Sequence, residues 1–322
     1  MNREFVTHSF LLPEKNSWIN LDGKMPTDSI PYKLSWIHME CDNIKTKEWL
    51  YAQDDIDEMV TDALLAEDTR PRTTIYPDGY MINLRGVNLN TEEDPHDMIS
   101  IRMYVQNKRI ISTSRKQLHA VDDLAALLKT DDAPETPGNI VAAVLEILAD
   151  RAESFIIELK ESTYDLEYKI IDEADINQRR QITEIRRAVI KFSRFFSPQR
   201  DAAIKLTTIK GSFFSVSDEQ SVQESINKLN KFIEDLDSLD NRCYVLQDEV
   251  AAITNDRINK KMYYISVMAT VFLPLSFLTG LLGVNLGGIP GARDDMGFLK
   301  FILVLLAVLA LQIILLVKSK KL

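Results

Sequence analysis

The chain has 322 residues, 45% of them apolar, and carries 48 acidic side chains against 38 basic ones for a net charge of −10. Such acidity argues against a nucleic-acid binder, which needs a basic footprint. Its two cysteines, Cys41 and Cys243, stand far apart and outside any CxxC or Cys/His cluster, which argues against a disulfide framework or a zinc knuckle.

Residues 1–135 read as a mixed α and β module. Leu34 to Met39 alternates like a short strand, and Lys47 to Leu65 has helical spacing at Leu50, Ile56, Val60 and Leu64. Thr73–Tyr76 and Tyr80–Leu84 flank Pro77-Asp78-Gly79, a hairpin turn; Ile99–Val105 and Arg109–Thr113 form a second hairpin candidate. Val121 to Leu128 reads as a short helix. Asp54, Asp55, Asp57 and Glu58 are either a divalent-cation site or, preferred, a solvated helix face. No phosphate loop, nucleophile elbow or nucleophile–base pair occurs, so the residues predict no enzyme.

Residues 136–216 predict long amphipathic helices after the proline-punctuated linker around Pro134 and Pro137. One runs from Asn139 to Asp172. A second, capped by Asp175 or Asn177, runs to about Ile209 and is kinked or interrupted by Pro198. Its polar side holds Arg179, Arg180, Arg186, Arg187, Lys191, Arg194 and Arg200. This basic side suits acidic partners or headgroups, or, preferred, ion pairs with the acidic helix before it. From 217 to 261, Ser217 and Gln220 predict a capping box. A heptad-like stripe follows through Val222, Ile226, Leu229, Ile233, Leu236, Leu239, Cys243, Leu246, Val250 and Ile253. No proline or glycine interrupts it before Pro274, so one stalk helix is expected to continue into the first apolar run.

Residues 262–283 and 298–317 are each about long enough to cross a bilayer, and 284–297 connect them. Mean hydropathy over the whole chain is −0.12, so spans are confined to this end. The MNREFVTHSF start lacks an apolar run of signal-peptide length. Arg257, Lys260 and Lys261 precede the first span, and the 318–322 tail is basic; positive-inside counting predicts both termini in the cytoplasm. Steps of three and four pick out one face: Asp248, Ala252, Asn255, Asn259, Met262, Ser266, Ala269, Leu273 and Ser276. Around an axis, that face makes hydrophilic rings with apolar constrictions at Met262 and Leu273, as in an ion pore. The alternative is that Ser266, Thr270, Ser276 and Thr279 only hydrogen-bond along or between helices. Two spans cannot enclose a water path, so a pore requires a ring of copies.

Gly283-Val284-Asn285, closing the first span, resembles the Gly-x-Asn motif of the CorA superfamily of divalent-cation transporters. The surrounding Phe272-Leu273-Pro274 to Ile289-Pro290-Gly291 is similar to its bacterial zinc-transporting branch. Trp36-Ile37-His38, Thr69-Arg70-Pro71-Arg72 and Ser197-Pro198-Gln199-Arg200-Asp201 extend the resemblance over nearly the whole chain. It implies an α+β cytoplasmic domain, a helical stalk and two C-terminal membrane helices in a funnel-shaped homopentamer of the bacterial inner membrane. It puts Asn285 at the outer pore mouth and Ser276, Leu273 and Met262 along the path, with Glu224 as a possible metal-sensing carboxylate. Magnesium-transporting members usually have Met within the motif and an aromatic before it; here Val284 and Leu282 stand there, which favours zinc. A path without thiolate or imidazole predicts that the ion passes hydrated and that Zn2+, Ni2+, Co2+, Cd2+ and Mg2+ are only modestly distinguished. Proton coupling is suggested within the zinc branch only. The competing expectations are a magnesium, cobalt or nickel channel of the same fold, and a membrane-tethered metal-sensing scaffold.

Overall fold

The computed structural model describes residues 5–15, 17–26, 31–67, 69–91, 93–106, 108–172, 176–209, 214–284 and 295–319. The chain divides into two units, Met1–Gln247 and Asp248–Leu322.

In the first unit, seven strands form one sheet: β1 (Val6–Pro13), β2 (Ile19–Asn20), β3 (Tyr32–Glu40), β4 (Arg72–Tyr76), β5 (Gly79–Gly86), β6 (Ile99–Val105) and β7 (Arg109–Ser114). Their order is β2-β1-β3-β7-β6-β5-β4. Pairing is antiparallel except between β3 and β7, which run parallel from Ser35↔Arg109 to Glu40↔Ser114. Both hairpins form where the turn residues predict them. In the first, Tyr76 pairs with Gly79 across Pro77-Asp78. Gly79 fits because the neighbouring strand is so close: a Cβ there would lie 2.2 Å from the Val105 carbonyl oxygen.

Helices cover both faces of the sheet. On one face, α1 (Ile44–Tyr51) and α2 (Glu58–Leu65) pack Leu50, Val60 and Leu64 against Ile37, Met81 and Ile111. On the other, Trp36, Ile82, Ile101 and Met103 meet α3 (His119–Leu127) and the start of α4 (Pro137–Asp172). The continuous helix expected from Lys47 to Leu65 is two helices. Asp57 adopts an extended backbone and its Oδ1 accepts the Met59 N–H at 2.7 Å, capping α2 as a new helix. Asp55 pairs with Arg109. The acidic run therefore builds a cap and an ion pair.

Helix α4, α5 (Ile176–Leu206) and the first part of α6 (Val216–Leu282) form a bundle around Phe192, Phe196, Phe232 and Leu236. The Phe192 and Phe196 rings stack with centroids 5.5 Å apart. Phe232 takes the buried position where the heptad reading had Ile233, which is only half-buried. Four ion pairs tie α4 to α6: Asp150–Lys228 at 2.7 Å, Glu153–Lys231 at 3.3 Å, Lys160–Asp235 at 2.8 Å and Glu167–Arg242 at 3.2 Å. Partner numbers rise together, so the two helices run parallel in register, with α5 returning between them. Three further expectations change. Helix α5 continues through Pro198 without interruption. Its basic side pairs with α6 and with a turn of the sheet domain rather than with α4: Arg186 meets Asp240 at 2.8 Å, and Lys191 meets Asp94 and Asp97, each at 2.8 Å. The α6 cap is Ser215 with Asp218, whose groups exchange bonds of 3.2 and 2.8 Å, instead of Ser217 with Gln220.

The second unit holds the rest of α6 and α7 (Gly297–Ser319). Both helices are long and apolar enough to cross a bilayer. Helix α6 runs on past Pro274 to Leu282.

Candidate ion-conduction path

Every member of the predicted pore face from Asp248 to Ser276 is exposed on α6, including Met262 at 63% and Leu273 at 70%. A second stripe on the same helix is half-covered: Val267, Val271, Pro274, Leu275 and Leu278. At 3.6 residues per turn the two stripes lie about 180° apart. Helix α7 presents a matching half-covered stripe of Phe301, Leu305, Val308, Gln312 and Leu316. The Gln312 side-chain amide reaches the Thr270 carbonyl at 3.3 Å and joins the two helices at that level. Thus α7 backs α6 on the side away from Asn255, Asn259, Ser266, Ala269 and Ser276.

The hydroxyls divide in the same way. Thr270 donates to the Ser266 carbonyl at 2.8 Å and Thr279 to the Ser276 carbonyl at 3.0 Å, each folded back on its own helix. The hydroxyls of Ser266 and Ser276 make no hydrogen bond among the described residues. The back-bonding alternative therefore holds for the threonines, while the two serines keep their donor and acceptor capacity for something outside the chain.

At the end of α6, the Gly283 N–H bonds the Thr279 carbonyl at 2.9 Å. A Cβ at position 283 would come within 2.7 Å of that same oxygen, so the first residue of the Gly-x-Asn motif has to be glycine for this close turn. Val284 is exposed just beyond it. Asn285 lies outside the described residues, as do 286–294.

Glu224 is exposed on α6. No group of three or more His, Cys, Asp or Glu able to hold a metal ion occurs among the described residues. Asp94 is held down at about 2, chiefly by the hydrogen bond from Lys191, so it stays a committed ion-pair partner. The cysteines are buried thiols; burial and nearby Asp240 push Cys243 up to about 11. Sequence reasoning missed Gln312, a single amide in an apolar run; the signal for it was Pro274, which lacks the N–H that would serve the Thr270 carbonyl.

A large α/β unit followed by a helix that is apolar enough at its end to span a membrane, backed by one more apolar helix, defines a two-span membrane protein. The chain belongs to the CorA-like Mg2+ transporter protein family, whose model matches residues 32–320. It is a membrane transporter of divalent cations and not an enzyme. It is 36% identical over 270 residues to the zinc transport protein ZntB of Yersinia enterocolitica, covering 84% of this chain and 82% of that one. The full-length CmaX protein structure superposes with a TM-score of 0.85 at 29% identity, over 99% of both chains. The CorA magnesium transporter of Methanocaldococcus jannaschii shares the fold, with a TM-score of 0.80 at 16% identity over 95% of this chain and 96% of that one.

Proposed function

We propose that the chain takes up zinc across the bacterial inner membrane through a pore lined by α6 in a homopentamer. The observation that carries this is the opposition of the two α6 stripes: α7 covers the apolar side and leaves the Asn255–Asn259–Ser266–Ser276 side open. Two hydroxyls with no partner among the described residues are costly against lipid, and copies arranged around an axis would bring Ser266 and Ser276 to water instead, with Asn255 and Asn259 continuing the same face below the span. Relatives 33–36% identical are named zinc transport proteins, which supports zinc as the cargo. The face offers oxygen dipoles and no thiolate or imidazole, which suits a hydrated ion. An inside-negative potential contributes about 2.3 kcal/mol per charge per 100 mV toward entry. Both termini face the cytoplasm in this reading, since Arg257, Lys260 and Lys261 flank the first span on that side. Asn285 closes the outer mouth, and Glu224 is a sensing carboxylate only if a neighbouring copy completes its site.

The test is metal uptake into proteoliposomes of the full chain, with and without a pH gradient and with Mg2+, Ni2+, Co2+ and Cd2+ as competitors. Zinc entry that the other divalents reduce appreciably, zinc being only modestly preferred, and that is lost in Asn285→Ala with the oligomer intact, is the expected outcome. Preferred entry of magnesium would reassign the cargo. Absence of flux for every ion would leave a scaffold.

A further inference from the structure

Pro274 removes a backbone donor from the apolar part of α6. In an unbroken helix the N–H of residue 274 would serve the carbonyl of residue 270, so Thr270 is left with an unserved C=O at membrane depth. The Thr270 hydroxyl does not help, because it bonds the Ser266 carbonyl at 2.8 Å. The donor comes from the other span: Gln312 Nε2 lies 3.3 Å from the Thr270 oxygen. A carbonyl cannot donate, so the amide must turn its nitrogen toward α6. Gln312 is the one side-chain amide in the apolar run of α7. Its Oε1 is buried and has no hydrogen-bond partner among the described residues, so that single donated bond is what holds the amide. A half-used amide in an apolar setting is costly, and packing alone would be better served by leucine.

We infer that Gln312 is a positioning residue for transport: it closes the gap that Pro274 opens and sets the course of the last turns of α6. Those turns carry Ser276 and lead into Gly283 and Val284. A proline break with an unserved carbonyl is where a helix bends, and Leu273, the upper apolar constriction, lies beside it. Helix α7 is then part of the conduction machinery through one hydrogen bond, and not only a membrane anchor. This inference rests on the proposed conduction path along α6.

The test is a double-mutant cycle in the full chain. Gln312→Met keeps the side-chain length and removes the donor. Pro274→Ala returns the N–H to the helix and makes the donor redundant. Zinc flux and the thermal midpoint in detergent are read for the wild type, both single variants and the double variant. Gln312→Met is expected to lower flux about five-fold, the size of one interhelical hydrogen bond in a membrane. It is expected to lower the thermal midpoint as well. In the P274A background it should change flux less than about two-fold and leave the midpoint unmoved. Equal losses in both backgrounds, or none in either, would overturn the clamp. If Pro274→Ala itself abolishes flux, the midpoint cycle decides. A wild-type chain without flux would sink the proposed function while the midpoint cycle still tests the clamp.

Discussion

His38 sits on β3 with both ring nitrogens engaged: Nδ1 lies 2.8 Å from Ser112 Oγ and Nε2 3.1 Å from Ser114 Oγ. Ser112 also accepts the Trp36 indole N–H at 2.9 Å and donates to the Ile37 carbonyl at 3.3 Å. Burial, and secondarily His8, pulls the His38 pKa down to about 3, so the ring is neutral in the folded chain. The unfolded chain takes up this proton first, near its ordinary value of 6.5. Stability from this site is therefore complete above about pH 6.5 and is lost as the pH falls from there toward about 3, at about 1.4 kcal/mol per unit. Melts of the full chain between pH 7.5 and 5 should show that slope, and His38→Gln should flatten it; an unchanged slope in the variant would assign acid sensitivity elsewhere. Gly283→Ala should lower transport and loosen the end of α6, since its Cβ meets the Thr279 oxygen at 2.7 Å; wild-type flux from that variant would contradict the reading. At this scale the sequence exposed what has a spacing, such as Asn255, Asn259, Ser266 and Ser276. It hid what depends on a missing atom. Gln312 becomes meaningful only once Pro274 is seen to leave Thr270 without a donor.

Among the elements, the long helices were legible because one side of each is wet and the other dry. The first strand was not. Phe10, Leu11 and Leu12 of β1 are all buried, since helices cover both faces of the sheet, and this erases the alternation that marks a half-exposed strand. The break within 44–65 was hidden for another reason: the spacing of Leu50, Ile56, Val60 and Leu64 is helical on both sides of the Asp57 cap. Packing and charge make different contributions to the bundle. Phe192→Ala opens a cavity between stacked rings and should cost about 3–5 kcal/mol in a thermal or denaturant melt. The four α4–α6 ion pairs are partly exposed, and each contributes about 0.2–1 kcal/mol. Lys228→Glu should lower the midpoint slightly, Asp150→Lys in the same chain should recover part of the loss, and high salt should shrink both effects. A loss from Lys228→Glu as large as that from Phe192→Ala would overturn this ranking.

For the whole molecule, the division at Gln247 and Asp248 separates an acidic α/β and bundle unit from the membrane unit. Net charge is +3 after Lys261, which leaves −13 on the residues before it. That acidity suits solubility, and it also suits the gathering of cations near the start of a path. The family was legible from the Gly-x-Asn motif and its flanks. The homopentamer rests on the resemblance alone, because the α6 side proposed to line the pore is exposed and meets nothing among the described residues. Helix α6 runs from Val216 to Leu282 and so belongs to both units. The proposed route for divalent ions runs along the α6 side facing away from α7. It is tested most directly by single cysteines in the full chain, read as zinc flux before and after a water-soluble, charged thiol reagent. Native Cys41 and Cys243 are buried with raised thiol pKa values, so the background reaction is slow. The reagent should block flux in Ser276→Cys and Ser266→Cys and spare it in Val271→Cys and Leu275→Cys. Block at the α7-facing positions with unaffected flux at Ser276→Cys and Ser266→Cys would contradict it.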